Sequence, residues 1–395
     1  MNDSTSAAPR SKPVSLYHHS ADEIAALHKR FLTPNYRNAP IVFCHGAGAW
    51  GETEDGSRYL DFSAGVAVNA LGHNHPDLVH ALRDQVGRLI HQSNYWHNCH
   101  AAPLAEQLCG AFEAACAAIE PVSARAFFCN SGAEANEALV KLSRRYHARV
   151  IGTARPGFVT AHDSFHGRTF AAMSATAQAK YQDGFGPLVP GFSHADFGDL
   201  ASFERAIDAA EGGPFPVGAV LIEVVQGEGG VKLAPTGFFK GLRALCDARG
   251  ILLLLDEVQT GLGRTGTFFA FEQEGIAPDA IALAKALGGG VPVGAIVARD
   301  NVAEALQPGT HATTFGANAL AMRAGRTVLA VFERDGLVAH TAKLGAYLLD
   351  KLHAAFDDRP YTRDVRGRGL MVGVEVSERA RDVIIEARDR HNLLV

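Results

Sequence analysis

The sequence predicts an α/β protein in which a mainly parallel sheet is covered by helices on both faces. Between residues 126 and 297, short apolar runs alternate with segments of helical periodicity. The run at residues 251–255 is Ile-Leu-Leu-Leu-Leu, and such uninterrupted apolar strands are typical of a sheet buried on both sides. Polar residues follow several of these runs. They indicate a ligand site, because ligands bind beyond the carboxyl ends of parallel strands.

Capping residues, periodicity and turn residues predict the individual elements. Ser20 and Glu23 form a capping box that opens a helix ending near Phe31. A β-rich segment follows at residues 41–43 and 52–62, and Asp55-Gly56 is its hairpin turn. Further helices are predicted over residues 76–90, 103–119, 133–149, 200–210 and 237–249, and further strands over residues 126–129, 158–161, 219–225, 251–255, 280–284 and 293–297.

The character of the chain changes after residue 316, which predicts a second, smaller domain. Long helices at residues 320–333 and 337–356 precede a strand at residues 364–374. We therefore expect a disordered tail at residues 1–13, an N-terminal segment at 14–70 that contributes to the small α+β domain, a large domain at 71–316 and a C-terminal small domain at 317–395.

Composition and charge exclude several classes of function. A formal net charge of -5 gives no electrostatic basis for binding nucleic acid or an anionic membrane. No apolar run approaches the roughly 20 residues that span a bilayer, and the first residues lack the apolar core of a secretory signal. The six cysteines form no CxxC pair, which favours a reducing, cytoplasmic location. His73 and His75 lack nearby acidic or thiolate partners, so we predict loop histidines and no metal site.

Lys285 and Asp256 are the most informative residues of the chain. Lys285 lies in an apolar run and is followed by three glycines, and a buried ammonium is costly unless it is paired or used covalently. Asp256 is the first acid after the apolar strand at residues 251–255. An amine for an aldehyde and a carboxylate for a pyridine nitrogen are what pyridoxal phosphate requires of a protein. The pair therefore predicts a pyridoxal-phosphate site.

Two glycine-containing segments are candidates for binding a phosphate group. Ser131, Gly132 and Ala133 join a strand end to a helix start, and backbone N–H groups at a helix N-terminus bind anions. Residues 261–266 match the G-x-G-x-x-G dinucleotide pattern. That interpretation is rejected, because five residues separate the strand from the first glycine and the following segment is a poor opening for a helix. We expect residues 261–266 to form a mobile loop beside the site.

Three further residues have both a functional and a structural interpretation. The ring of Phe165 could stack on a planar cofactor, or it could fill the core. The guanidinium of Arg168 could bind a carboxylate through its two-pronged fork, or it could be an ordinary surface charge. Glu228 stands on a glycine-rich loop, where it could orient a substrate amine, pair with Arg168 or be solvated.

Taken together, these segments resemble the class III (fold type I) pyridoxal-phosphate-dependent aminotransferases, and most of all their acetylornithine/succinylornithine branch. The resemblance runs from about Tyr36 to the C-terminus. It implies a seven-stranded, mainly parallel sheet in the large domain. The matching motifs occur in family order at residues 65–73, 130–136, 164–169, 256–261 and 284–290.

The resemblance also implies roles for the residues that hold the cofactor. Lys285 would be the Schiff-base lysine, and Asp256 the partner of the pyridine nitrogen. Backbone N–H groups of Gly132 and Ala133, next to Ser131, would bind the phosphate. The ring would be bordered by Phe165 on its face and by Glu257, Val258 and Gln259.

Substrate and subunit contacts are implied in the same way. Arg168 would hold the α-carboxylate of an acylated donor, with Glu228 and Thr313 also next to the substrate. Thr314 would reach the phosphate bound by the neighbouring subunit, which implies a homodimer. The implied reaction is transfer of the ω-amino group of N-acetylornithine to 2-oxoglutarate, giving N-acetylglutamate semialdehyde and glutamate for arginine biosynthesis.

Other interpretations remain open at this point. The donor could be succinylornithine, ornithine, 4-aminobutyrate or N-succinyl-diaminopimelate, or the chain could be a binding protein that lost catalysis. The sequence departs from the family pattern at Val224, Ala317 and Ala319, where proline, glycine and proline are usual. It also stops at residue 395, before an arginine-bearing strand of the relatives, so we expect an incomplete small domain.

Overall fold

A computed structural model describes residues 19–377 and 379–395. The tail predicted at residues 1–13 lies outside the described residues. Across the described part of the chain, no helix is both long and apolar enough to span a membrane. The same residues contain no group of three or more His, Cys, Asp or Glu side chains arranged to hold a metal ion.

The described residues form fifteen strands and thirteen α-helices. The strands are β1 (Phe43–Ala47), β2 (Trp50–Thr53), β3 (Arg58–Asp61), β4 (Ala124–Cys129), β5 (Gly157–Ala161), β6 (Phe192–Ala195), β7 (Val217–Glu223), β8 (Val225–Gln226), β9 (Lys232–Leu233), β10 (Leu252–Asp256), β11 (Ala280–Leu283), β12 (Gly294–Arg299), β13 (Thr362–Arg368), β14 (Met371–Val376) and β15 (Leu393–Leu394). The helices are α1 (Ala21–Phe31), α2 (Ala64–Ala67), α3 (Pro76–Val86), α4 (Ala101–Cys116), α5 (Gly132–Tyr146), α6 (Phe170–Ala175), α7 (Ala179–Gln182), α8 (Leu200–Ala210), α9 (Phe238–Arg249), α10 (Asp300–Ala303), α11 (Ala319–Arg334), α12 (Leu337–Phe356) and α13 (Ala380–His391).

The central sheet has seven strands in the order β4-β12-β11-β10-β7-β5-β6. Only β12 runs antiparallel to its neighbours, β11 and β4, so the predicted mainly parallel α/β sheet is confirmed. One strand of the seven, β6, was not predicted. Its residues are Phe-Ser-His-Ala at the edge of the sheet, so it lacks the apolar run that marks the buried strands.

Helices cover both faces of this sheet. Alternate residues of β10 point to opposite sides, as the pleat requires. Leu253 and Leu255 pack in one core cluster with residues of α4, α9 and α11, whereas Leu252 and Leu254 pack in a second cluster with α5. All four leucines are buried. Burial on both faces explains why the strand sequence is apolar without alternation.

A second sheet joins the two ends of the described chain. Its order is β1-β2-β3-β15, and Leu393 of β15 pairs in parallel with Leu60 of β3. The hairpin turn predicted at Asp55-Gly56 connects β2 to β3. A further two-stranded sheet, β13-β14, packs against α12. The domain boundaries at residues 70 and 316 stay a prediction.

Some element boundaries differ from the predicted ones. The helix predicted to reach residue 90 ends at Val86, next to Gly87. Residues 41 and 42 precede the first strand, which begins at Phe43 and forms an unpredicted hairpin with β2. The helix predicted over 133–149 ends at Tyr146 and continues as a π-helical turn, His147–Ile151. The capping box of Ser20 and Glu23 is present as predicted.

Candidate active site

A cavity of about 440 Å³ opens beyond the carboxyl ends of the central strands, where the sequence predicts the site. It contains the predicted residues from β10, the loop after β5, the start of α5 and the segment after β11. The predicted residues that line it are Ser131, Gly132, Ala133, Phe165, Arg168, Glu228, Asp256, Val258, Gln259 and Lys285. Glu257, Thr313 and Thr314 are not among its lining residues.

Asp256 is held by three hydrogen bonds at the end of β10. Its Oδ2 accepts from Asn136 Nδ2 at 2.7 Å and from His166 Nδ1 at 2.8 Å, and its Oδ1 accepts from Val258 N at 3.0 Å. The residue is 5% exposed. These hydrogen bonds fix the orientation of the carboxylate at one end of the cavity.

His166 and Asn136 are site residues that the sequence analysis did not identify. Asn136 Nδ2 also donates to the backbone oxygen of His166 at 2.7 Å, so the amide ties the histidine to Asp256. Burial lowers the pKa of His166, but the hydrogen bond and charge of Asp256 outweigh it and raise that pKa overall. Both residues lie inside quoted motifs. Their contact with Asp256 spans 90 and 120 residues, which no local pattern reveals.

Lys285 follows β11 and enters the cavity from a strained backbone. Its φ is +42°, in the left-handed region, which costs a residue with a Cβ about 1–2 kcal/mol. Burial lowers the pKa of its ammonium, whereas the charges of Asp256, Glu228 and Glu223 act in the opposite direction. A lowered pKa raises the fraction of uncharged amine at neutral pH. The uncharged amine is the form that reacts as a nucleophile or base.

The start of α5 forms the opposite part of the cavity. Ser131 caps this helix, because its Oγ accepts a hydrogen bond from Glu134 N at 3.2 Å. A Cβ at Gly132 would lie 2.7 Å from a methyl carbon of Val258, so only glycine fits there without displacing that side chain. Gly132 and Ala133 line the cavity, and N–H groups at the start of a helix can bind an anion.

Phe165, Arg168 and Tyr181 form an aromatic and cationic group at the rim. The Arg168 guanidinium carbon lies 3.8 Å from the ring centre of Tyr181 and 5.2 Å from that of Phe165. The two rings meet edge to face at 5.7 Å. Arg168 forms no salt bridge with Glu228 or any other carboxylate of the described residues. Tyr181 was not predicted, since it lies in a short polar helix without an apolar pattern.

Two more carboxylates lie close to Asp256 but have different surroundings. Burial raises the pKa of Glu223 to about 7, and its carboxylate accepts the N–H groups of Phe165 and Gly227. Glu223 lines the cavity, although the sequence analysis did not single it out. Burial also raises the pKa of Glu257 to about 7. The Glu257 carboxylate accepts from Thr260 Oγ1 at 2.5 Å and from a backbone N–H, so it is held within the protein interior.

Thr313 and Thr314 lie beside the cavity rather than on its wall. Thr313 Oγ1 accepts a hydrogen bond from Asn130 Nδ2 at 3.1 Å, which ties its loop to the end of β4. Thr314 is exposed, and Phe315 next to it is 62% exposed. The roles expected for the two threonines stay a prediction.

The glycine segment at residues 261–266 differs from the mobile loop that was expected. It consists of turns with no following α-helix, which agrees with the rejection of a dinucleotide fold. Gly261 and Gly263 are buried, and Gly263 and Gly266 approach Val338 and Ala342 of α12. Gly263 and Gly266 permit close packing of this segment on α12, and Gly261 packs against Glu257 and Leu283.

Comparison with known proteins agrees with this site. The family described as aminotransferase class-III matches residues 31–394. The acetylornithine aminotransferase of Myxococcus xanthus is 44% identical over 94% of this chain and 89% of its own length, and that of Gloeobacter violaceus is 46% identical over 91% and 86%. An ornithine aminotransferase from Toxoplasma gondii superposes with a TM-score of 0.87 at 31% identity, over 95% of this chain and 86% of the other. Its crystal structure reports partial occupancy of pyridoxal phosphate at the active site.

These matches extend over nearly the whole described chain and include the segments that build the cavity. The fold is therefore that of the fold type I aminotransferases, as the sequence predicted. Enzymes of this family move an amino group from a donor to a keto acid. This chain belongs to the class III aminotransferases, which use pyridoxal phosphate.

Proposed function

We propose that this enzyme transfers the ω-amino group of N-acetylornithine to 2-oxoglutarate, giving N-acetylglutamate semialdehyde and glutamate. The names of the relatives from Myxococcus xanthus and Gloeobacter violaceus support this donor. The observation that carries the proposal is that Lys285 and Asp256 lie in one cavity with the start of α5. The reaction would serve arginine biosynthesis, and a cytoplasmic location is proposed with it.

The residues of the cavity fit pyridoxal phosphate. Asp256 presents a buried, hydrogen-bonded carboxylate suited to a protonated pyridine nitrogen. Backbone N–H groups at Gly132 and Ala133, with the Ser131 hydroxyl, are suited to a phosphate at the start of α5. Lys285 supplies the amine for the aldehyde. These three features occupy separate parts of one cavity of about 440 Å³, within the range of sites for small cofactors.

Pyridoxal phosphate supplies an aldehyde that condenses with amines and a ring that withdraws electrons from the adjacent carbon. Lys285 Nζ takes the proton from the donor carbon that bears the ω-amino group, since burial favours its uncharged form. Asp256 would be the carboxylate partner of the ring nitrogen. His166 and Asn136 fix that carboxylate in position, so Asp256 cannot turn away from the ring.

Neighbouring residues hold the ring in place. Phe165 would lie against the ring face, and its backbone N–H is bound by Glu223, which keeps its loop at the cavity. Val258 and Gln259 would border the ring and its phenolic oxygen. Glu257 would act on the same segment from the interior, through its hydrogen bond to Thr260.

We assign the donor carboxylate to Arg168, whose guanidinium has no carboxylate partner within the described residues. Its planar fork binds a carboxylate through two hydrogen bonds, which a lysine cannot reproduce. Glu228 and Thr313 would complete the substrate side, Glu228 on the cavity wall and Thr313 beside Asn130. 2-Oxoglutarate would use the same arginine in the second half of the reaction.

A homodimer is proposed because exposed aromatic residues lie on the loop of Thr314 and on the segment hydrogen-bonded to that loop. Tyr95 and Trp96 are 91% and 72% exposed. Their segment is bound to the threonine loop through Asn94, whose Nδ2 donates to the backbone oxygen of Gly316 at 2.9 Å. A large exposed aromatic patch is typical of a protein interface. A second copy seated on this patch would place Thr314 near the neighbouring phosphate site.

The donor is tested with purified enzyme, pyridoxal phosphate, 2-oxoglutarate and a panel of amines. We expect kcat/KM for N-acetylornithine to exceed that for ornithine at least roughly tenfold, which corresponds to about 1.4 kcal/mol of transition-state binding. Lys285→Ala should lose turnover with every donor. If the enzyme prefers ornithine, which the name of the Toxoplasma gondii aminotransferase gives as its donor, the proposed donor is wrong but the proposed amino transfer stands. Normal turnover by Lys285→Ala would refute the role proposed for the Lys285 amine.

A further inference from the structure

A second cavity lies at the far end of α5 and has no part in the reaction. It has a volume of about 330 Å³, and four of its seven lining residues are cationic. The residues are Lys141, Arg144, Arg145, Ala148, Arg149, Leu306 and Thr310. No carboxylate is among them. Twelve residues of helix separate Ala133 from Arg145, or roughly 18 Å at 1.5 Å per residue, so this cavity is distinct from the active site.

Three of the four cations lie on one side of α5, and Arg149 follows in the π-helical turn. Lys141 and Arg145 are four residues apart, as are Arg145 and Arg149, and Arg144 follows Lys141 by three. Like charges at this spacing destabilise a helix by about 0.2–0.5 kcal/mol per pair. Basic residues near a helix C-terminus offset only about half a negative charge of the helix dipole. That dipole therefore balances a small part of the four positive charges.

Neutral groups of the protein orient these side chains without cancelling their charge. Arg144 donates to the backbone oxygens of Pro156 and Pro190, both at 3.0 Å, and Arg145 Nε donates to that of Ala305 at 2.6 Å. None of the four cations forms a salt bridge with a carboxylate anywhere in residues 19–377 and 379–395. Guanidinium groups held in this way keep N–H donors for a ligand.

The partner of Lys141 also leaves its charge in place. Lys141 Nζ lies 2.8 Å from His311 Nδ1. Burial, and then the charge of Lys141, lower the pKa of His311. A neutral imidazole accepts the lysine N–H as a hydrogen bond and contributes no negative charge. The cavity lining therefore carries four positive charges and no carboxylate, and Glu137 on the preceding turn of α5 is the nearby acid whose charge acts on Arg144 and His311.

An irregular backbone shapes the cavity floor. The π-helical turn His147–Ile151 follows α5 and carries Ala148 and Arg149 into the lining. Single π-turns at the end of an α-helix are uncommon and frequently occur at functional sites. Arg149 of this turn lines the same cavity as Arg145 of α5.

We propose that this cavity binds a small phosphorylated anion. Three arginine forks and a lysine suit the oxygens of one or two phosphate groups, which accept several charge-assisted hydrogen bonds at once. The volume is at the lower end for small-ligand sites, which limits the ligand to a compact anion. Such a ligand would relieve the repulsion along α5 and stabilise the helix whose first turn forms the phosphate part of the active site.

Calorimetric titration of the holoenzyme tests the proposal. Bound pyridoxal phosphate occupies the active-site phosphate position, so added anions report on Arg168 and on sites outside the active site, which variants of the cavity residues separate. Inorganic pyrophosphate is the probe, with inorganic phosphate and citrate as separate titrants at constant ionic strength. We expect saturable binding of pyrophosphate to about one site per chain, and weaker binding of phosphate and of citrate.

Two double variants with the same change in net charge distinguish binding in this cavity from a general effect of surface charge. Lys141→Gln with Arg149→Gln keeps the two arginines that bind backbone oxygens and should weaken pyrophosphate binding roughly tenfold or more. Arg83→Gln with Lys343→Gln removes two exposed cations outside the cavity and should leave binding unchanged. Equal weakening in both variants, or no saturable binding to the parent enzyme, overturns the proposal. Citrate binding in place of pyrophosphate overturns the assignment to phosphate.

Discussion

Replacing Tyr181 with leucine should weaken the use of carboxylate-bearing donors while leaving other amines unaffected. The guanidinium carbon of Arg168 lies 3.8 Å from the Tyr181 ring centre, the shortest of its two cation–π contacts. The ring therefore supports the guanidinium in the plane from which it can bind a carboxylate. Leucine keeps the bulk of the position but removes the aromatic face, so Arg168 gains freedom that it must lose again on binding the donor.

The size of the effect follows from the exposure of this contact. Cation–π pairs contribute about 0.5–1 kcal/mol at exposed sites and about 2 kcal/mol when desolvated. Arg168 is exposed, so the lower range applies. The expected loss in kcat/KM is roughly two- to fivefold, at 1.36 kcal/mol per factor of ten. Arg168→Lys removes the fork itself and should cost about 1.5–3 kcal/mol, or roughly 10- to 150-fold.

Single-turnover kinetics with two donors measure the prediction. N-acetylornithine carries the α-carboxylate, and a primary amine of similar length without a carboxylate serves as the reference. Tyr181→Leu should raise the donor concentration for half-maximal rate with N-acetylornithine alone. Tyr181→Phe retains the aromatic face and should behave as the parent enzyme, since the hydroxyl is not required for the contact. In the Arg168→Lys background, Tyr181→Leu should add little, because both changes remove the same interaction.

The reasoning fails if Tyr181→Leu slows both donors equally, since a general effect indicates a folding or cofactor defect. Failure of phenylalanine to restore the parent behaviour would show that the hydroxyl matters instead of the ring. If Arg168→Lys leaves use of N-acetylornithine unchanged, the donor carboxylate binds elsewhere. In that case the Tyr181 result concerns only the packing of the rim.

Two predictions concern stability. Ala317 has a φ of +62°, a conformation that costs a residue with a Cβ about 1–2 kcal/mol. Glycine would remove this cost but would itself cost about 0.5–1 kcal/mol through its greater flexibility in the unfolded chain, so Ala317→Gly should raise the melting temperature by roughly 1 °C. The control Ala339→Gly, on the exposed face of α12, should lower the melting temperature. Burial raises the pKa of Glu257 from 4.5 to about 7, so the folded state holds a proton that the unfolded state releases, and stability falls as pH rises from 4.5 to 7. In urea denaturation, the free energy of unfolding of the parent enzyme should therefore fall by about 3 kcal/mol between pH 4.5 and 8 on account of Glu257, since each pKa unit corresponds to about 1.36 kcal/mol. Glu257→Gln should remove this fall. An equal change in the control Glu54→Gln, at an exposed position, would contradict the assignment to Glu257.

The sequence predicted best where one local pattern determines the structure. Strands β10 and β11 are buried on both faces and are therefore apolar throughout, which made them recognisable. The strand β6 lies at the sheet edge, and its sequence shows no apolar run because it contains Ser193 and His194. Its position depends on pairing with β5, which is a tertiary property.

The same distinction holds for the site. Lys285 and Asp256 were predicted because each interrupts an apolar segment with a charge. His166 and Asn136 were missed because their role depends on Asp256, which lies 90 and 120 residues away. Tyr181 was missed for a similar reason, since its significance lies in the ring's contact with Arg168. Motifs reveal which residues are near a site, whereas hydrogen-bond partners require the fold.

The positive φ angles of Lys285 and Ala317 show how strain relates to function in this enzyme. Both residues have a Cβ and both occupy the left-handed region, at +42° and +62°, so each carries a similar conformational cost. Glycine would relieve the strain at Lys285 but would remove the amine on which the reaction depends. The surrounding structure sustains it there, because Lys285 directly follows the buried strand β11 and Ala284. Ala317 has no reacting group: its backbone oxygen accepts from Asn98 Nδ2 at 2.9 Å, which glycine would also allow, and its methyl group packs at the edge of the core. Glycine should therefore relieve the backbone strain at Ala317 without loss of activity, whereas at Lys285 the same substitution would abolish activity. The φ angles alone do not distinguish the two positions.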